Sequence, residues 1–174
     1  MPSLRKKINS PLIAKRGAGD LRQMIKNYTS EVPANRSVLH IEERLVQNKA
    51  KNIMKIYEGQ HLAGIAFIVD VNGQDFPFKL PARLDRVEAV LMGMYSRPRK
   101  GTEAKVKDQA ERTAWKILAD WVDIQMSLVE LDQAELVEVF MPYLYNHQKE
   151  TTFFDQWKKN GMQMLEDKRT SRQP

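Results

Sequence analysis

Residues 61–83 read HLAGIAFIVDVNGQDFPFKLPAR, two runs of alternating apolar residues on either side of Asn72-Gly73. This dipeptide between alternating runs predicts a two-residue hairpin turn of type I′, in which both central residues need positive φ. Folding the chain about it pairs Val69 with Phe76, Phe67 with Phe78 and Ile65 with Leu80, all on one face. Pro77 has no amide hydrogen to give a ladder, so its backbone is expected to face away from any further strand, and Pro81 is expected to end the pairing. The same register sets Asp70 opposite Asp75 near the tip. That like-charge pair is mildly unfavourable unless a cation lies between them, and screening by solvent is the simpler expectation. A lone hairpin is marginal in water, so helices, a third strand or another subunit must complete it.

Working outward, residues 1–19 form a basic arm (Arg5, Lys6, Lys7, Lys15, Arg16) interrupted by Pro11, Gly17 and Gly19, a composition that predicts disorder. Asp20 is placed to cap a short helix reaching about residue 28. Pro33 and Asn35 then break the chain, and Ser37 can cap a helix predicted over 38–58 that stops at Gly59. Beyond the hairpin, residues 83–95 are predicted helical and the connector 96–107 is basic. A long helix is expected over 102–131, another from Asp132 to about Pro142, and a last one from Thr151 or Thr152. The fold class expected is α+β, a β-hairpin packed on a helical bundle with one long central helix. Residues 1–36 are read as arm and short helix, 37–166 as one domain, and 167–174 as a disordered tail.

Composition removes several chemistries. The 174 residues contain no cysteine, which excludes disulfides, thiolate catalysis and cysteine-ligated metals. His40, His61 and His147 lie far apart without metal-binding spacing, so no metal or other cofactor is expected. Asp70, Asp75 and Lys79 invite a nuclease reading, but Pro77 stands where an acidic residue two positions before the lysine is needed. The segment GAGD at 17–20 lacks the strand before it and the Gly-Lys-Ser/Thr after it that a phosphate loop requires. No catalytic residue is assigned, and the expectation is a non-enzyme. There is neither a long apolar run nor the apolar core of a secretory signal, so the expected compartment is the cytoplasm, with no membrane partner.

Charge is unevenly distributed. Residues 1–60 carry twelve Lys/Arg against five Asp/Glu, whereas residues 101–150 carry five against ten. On the predicted 38–58 helix, His40, Arg44, Lys51 and Lys55 fall on one stripe about 22 Å long, able to follow a phosphate backbone. Glu42 and Lys49 interrupt the apolar arc of that helix, formed by Ile41, Leu45, Val46, Ile53 and Ile56. Arg97, Arg99, Lys100 and Lys105 of the connector, with Arg5, Lys6 and Lys7 of the arm, complete the candidate nucleic-acid contacts. A solvated basic face explains the same pattern without a partner. Tyr57 and Trp115 could stack on bases, although nothing in the sequence brings them to the stripe.

The long helix contains QAERTAWKILADWVDIQ at 109–125. At about 100° per residue its apolar positions form one wide face centred near Trp121, which is therefore expected in the core together with Ala114, Leu118, Ile124 and Gln125. Trp115 and Met126 fall at the edge, either packed in a second layer or open to a partner. Asp108, Arg112, Lys116 and Asp120, four apart, are expected to form a salt-bridged ladder facing water.

The segments FKLPARLDRV, QAERTAWKILADWVDIQMSLVELDQAELVEVFMPYL and TFFDQW resemble a family of small proteins encoded by bacteriophages and prophages. The positions that match its pattern are Phe78, Leu80, Pro81, Arg112, Ala114, Trp115, Trp121, Gln125, Phe140, Pro142 and Tyr143, and the likeness covers roughly residues 37–165. It implies a phage setting, and with it a host-cell cytoplasm, and points to no particular activity. The leading expectation is a nucleic-acid-binding protein, for DNA or RNA, of low sequence specificity. The runner-up is an inhibitor or adaptor that engages a host or phage protein through the acidic 120–138 segment or a hairpin edge. A third reading is a structural component of an assembly, with homo-oligomer formation.

Overall fold

The computed structural model describes residues 25–160. The basic arm with Arg5, Lys6 and Lys7, the cap at Asp20 and the tail 167–174 lie outside the described residues. Turns over 25–33 lead into helix α1 (Ala34–Gln47), followed by strands β1 (Ala50–Glu58), β2 (His61–Val71) and β3 (Gln74–Pro81). Helix α2 (Leu84–Gly93) and the long helix α3 (Thr102–Glu130) come next. A short helix α4 (Leu136–Phe140), a 3₁₀ turn (Met141–Tyr143), a two-residue strand pair β4 (Tyr145–Asn146) and β5 (Thr151–Thr152), and helix α5 (Phe153–Asn160) complete the order. The fold is α+β, as its hairpin and long central helix predicted.

The hairpin forms in the predicted register: Ile65 faces Leu80, Phe67 faces Phe78, and Val69 faces Phe76. Asn72 and Gly73 take φ of 55° and 81°, the left-handed values a type I′ turn requires. Gly64 is held by close packing, because a Cβ there would meet the Leu80 carbonyl oxygen at 2.7 Å.

The helix predicted over 38–58 is instead a helix and a strand. α1 begins at Ala34 behind Pro33, so Ser37 is buried inside the helix and does not cap it. It ends at Asn48 and left-handed Lys49, and Gly59 opens a second hairpin turn between β1 and β2. β1 is the third strand that the hairpin needed, giving the sheet order β1-β2-β3. A bulge explains why it mimics a helix. Lys51 pairs with Ile68 and Met54 with Ala66, so two residues of β1 oppose Phe67 alone. Residues that share a face therefore lie three apart, as in a helix: Lys51 with Met54, and Ala50 with Ile53.

The main core lies between α1, the inner face of the sheet and the second half of α3. Ile41, Leu45, Ile65, Phe67, Phe78, Leu80, Trp115, Val122, Met126 and Phe140 are all sealed from solvent there. Phe140 stands edge-on to Phe67 and to Trp121, with ring centroids 5.6 Å and 5.4 Å away. A smaller cluster joins Leu91 and Met94 of the α2 region to Val106 and Ala110 at the start of α3.

These two clusters correct the single wide face expected of α3. Val106 and Ala110 point one way, whereas Trp115, Ala119, Val122 and Met126 lie on a face about 160° round the helix. Trp115 is consequently the fully enclosed tryptophan, Trp121 is only partly buried, and Ile124 is 53% exposed. Averaging over the whole helix placed the apolar centre between two opposed seams. The next helix also starts later than expected: Asp132 takes a left-handed φ of 56°, and the reciprocal cap of α4 is made by Glu135 and Glu138. At α5, the Asp155 amide donates to Thr152 Oγ1 and the Thr152 amide to Asp155 Oδ2, which fixes its start where the threonine pair predicted.

Candidate nucleic-acid interface

The basic stripe expected on one helix is divided by the turn at 48–49, and each of its cations meets carboxylates. Arg44 stays on α1, where its Nε lies 2.9 Å from Asp123 Oδ1 and its Nη1 lies 3.0 Å from Glu130 Oε1, both on α3. His40 faces the same Asp123 at 3.6 Å. Arg44 and Asn48 hold the Glu130 carboxyl below its ordinary range through hydrogen bonds, against a smaller opposing effect of burial. Lys55, on β1, lies 3.1 Å from Glu42 Oε1 of α1. That contact accounts for the carboxylate that interrupted the apolar arc.

Lys51 occupies the gap between the two facing aspartates of the hairpin tip. Its Nζ is 2.9 Å from Asp75 Oδ1 and 3.5 Å from Asp70 Oδ2. A cation from the neighbouring strand, rather than solvent alone, thus relieves the like-charge pair. The hydrogen bond to Asp75 and the attraction of both carboxylates raise the Lys51 pKa, despite a smaller opposing effect of desolvation.

The connector between α2 and α3 is different. Arg97, Arg99, Lys100, Lys105 and Lys107 are exposed, and none has an ion-pair partner among the described residues. The local sequence explains their display. Gly101 takes a left-handed φ of 85°, and the Arg99 amide donates to Thr102 Oγ1 at 3.0 Å, turning the chain sharply into α3. Lys105 and Lys107 sit in the first turns of that helix, where the macrodipole disfavours cations, so an anionic partner would relieve them.

The charge ladder on α3 is also more than a wet face. Arg112 pairs with Asp108 and Lys116 with Asp120 as the spacing predicted. The chain before α1 then docks across them. Asn27 Nδ2 donates to Asp120 Oδ2 at 2.9 Å, Lys26 Nζ lies 3.1 Å from the same oxygen, and Arg112 Nε and Gln109 Nε2 both donate to the Ser30 carbonyl. Partial burial works against the Asp120 charge, but hydrogen bonds from Lys116, Asn27 and Lys26 outweigh it and hold the carboxyl at about 2. Nothing in the local pattern of the long helix signals this docking, because the partner segment is remote in sequence.

Between the docked segment, α2 and α3 lies an open cleft of about 460 Å³. Tyr28 and Tyr95 flank it, and Lys105, Gln109 and Arg112 contribute polar groups. The sequence reading did not find this cleft. Trp115 plays no part in any surface, being fully enclosed, whereas Tyr57 is 60% exposed on β1. Half of the acidic residues of the 120–138 segment are engaged within the fold, Asp120 with Lys26 and Lys116, and Asp123 and Glu130 with Arg44, whereas Asp132, Glu135 and Glu138 are exposed. No group of three or more potential metal-ligating side chains occurs among the described residues, and no helix there is long and apolar enough to cross a membrane. Compared with models of protein families, with curated proteins and with solved structures, the chain finds no match.

Proposed function

We propose that this protein binds nucleic acid through its phosphates, with low sequence specificity and without catalysis of its own, and that the contact surface is the connector 97–107. The observation that carries this reading is the difference between two sets of cations. Arg44, Lys51 and Lys55 face carboxylates at 2.9–3.5 Å, whereas Arg97, Arg99, Lys100, Lys105 and Lys107 project into solvent with no such partner among the described residues. A cluster of unneutralised, exposed cations is what a polyphosphate exploits by counterion release. The resemblance of the Phe-x-Leu-Pro, Arg-x-Ala-Trp and Phe-x-Pro-Tyr segments to a phage-encoded family supports a phage setting for the proposed activity. An adaptor acting through the acidic segment is less well supported, since Asp120, Asp123 and Glu130 already hold internal partners.

The test is a gel-shift or anisotropy titration of DNA and RNA over a salt series. We expect log affinity to fall linearly with log salt, and the triple variant Arg97→Glu, Arg99→Glu, Lys100→Glu to weaken every sequence alike and flatten the slope by about 2–3. Absence of binding at low salt, or an unchanged slope in the triple variant, refutes the reading.

A further inference from the structure

The cleft beside the connector has a composition that phosphate contacts leave unexplained. Its floor is apolar, made by Leu91, Met94 and Val106. Tyr28 on the docked segment and Tyr95 at the end of α2 flank that floor, and Tyr95 is 46% exposed. Lys105, in the first turn of α3 just after the connector, lines the cleft, so the positive surface continues to the mouth. Glu31 brings a carboxylate acceptor to the rim, whereas the Gln109 amide is taken up by the Ser30 carbonyl, Thr113 Oγ1 and Arg112. The volume of about 460 Å³ lies within the range of small-molecule sites, about 300–1,000 Å³. A phosphate has no use for an apolar floor lined by tyrosines, whereas a flat heterocycle with a polar edge does.

We infer that this cleft seats an unpaired nucleobase, with Lys105 and the connector holding the adjoining phosphates, and hence that the partner is single-stranded nucleic acid. The inference rests on the phosphate-binding reading above and narrows its substrate. Base pairing in a duplex keeps the ring faces stacked and the Watson–Crick edges occupied, so only an unpaired base can enter with its face toward the floor and its N–H edge toward the Glu31 carboxylate. One wall of the cleft is the segment carrying Tyr28, Thr29 and Glu31. The contacts of Asn27 and Ser30 with α3 hold that wall in place.

The experiment compares two labelled single strands of about 12 nucleotides, one bearing bases and one fully abasic, together with a duplex, at one salt concentration. The two single strands have equal charge, so phosphate contacts treat them alike. We expect the abasic strand and the duplex to bind about tenfold more weakly than the base-bearing strand. Tyr95→Leu should remove most of that preference while leaving the affinity for the abasic strand unchanged. A fluorescent base analogue in the strand supplies a second readout on the unaltered protein, and we expect its emission to be quenched on binding.

Equal affinity for base-bearing and abasic strands, or preference for the duplex, or an unquenched analogue, overturns the inference; salt-dependent binding that persists in those cases leaves the phosphate reading standing. Absence of binding by all three ligands at low salt refutes both.

Discussion

Asn27 donates a hydrogen bond to the Asp120 carboxylate across 93 positions of sequence, 2.9 Å from nitrogen to oxygen. The contact ties the chain preceding α1 to the middle of α3, and it shapes one wall of the candidate cleft. Because the carboxyl is held at about 2, below its ordinary 3.8, it stabilises the fold above pH ~4 and loses that contribution as pH falls toward ~2. The contribution is on the order of 2 kcal/mol. Asp120→Asn should lower the midpoint of denaturant unfolding at pH 7 and flatten the acid limb of a stability-against-pH curve. An acid limb identical to that of the unaltered protein would show that another carboxylate governs it.

Arg44 and the connector cations should separate in their effects. The Arg44 side chain is 16% exposed and lies between Asp123 and Glu130, so Arg44→Ala should cost about 1–3 kcal/mol of stability. Its effect on nucleic-acid affinity, measured well below the unfolding transition, should be small. Lys100→Ala should do the reverse, leaving the chemical denaturation curve in place while reducing affinity.

Gly64→Ala would force a Cβ against the Leu80 carbonyl oxygen, at a separation that real Cβ atoms essentially never show. β2 and β3 must then move apart at a point where both are buried. A loss of about 1–3 kcal/mol is expected, with early amide exchange along the 64–81 hairpin. Stability within experimental error of the parent protein would mean that the strands adjust at no cost.

Trp115 is fully enclosed, and its indole nitrogen has no hydrogen-bond partner among the described residues. Trp115→Ala should therefore cost about 3–5 kcal/mol through the cavity it leaves. Trp115→Phe should cost much less, because it also removes a buried N–H that lacks an acceptor. The two denaturation midpoints, measured side by side, check the order. Neither residue choice should alter strand preference in binding, since Trp115 reaches no surface.

The features legible in the sequence are those encoded over a few residues. Asn72-Gly73 accepts the left-handed conformations of a two-residue turn, and the alternation on both sides of it leaves one register that puts Ile65, Phe67 and Val69 inside. The length of α3 was also readable, since no helix breaker interrupts 102–130. β1 was not, because its bulge opposite Phe67 converts a period of two into a period of three. The interruption by Glu42 and Lys49 was the available warning. Lys49 proves to be the left-handed residue after the helix, and Glu42 the partner of Lys55 across the turn.

The same division holds for the candidate interface. Sequence alone determined which residues are cationic, and it placed Arg97, Arg99, Lys100 and Lys105 together on a connector that Gly101 and Thr102 turn into α3. Only the tertiary structure decided which cations remain without a carboxylate, which face of α3 packs where, and that a cleft lies beside Lys105. Turn conformation and periodicity depend on neighbouring residues, a short-range matter of dihedral angles. Neutralisation, enclosure of Trp115 and the docking of Asn27 on Asp120 depend on groups brought together by packing from distant parts of the chain.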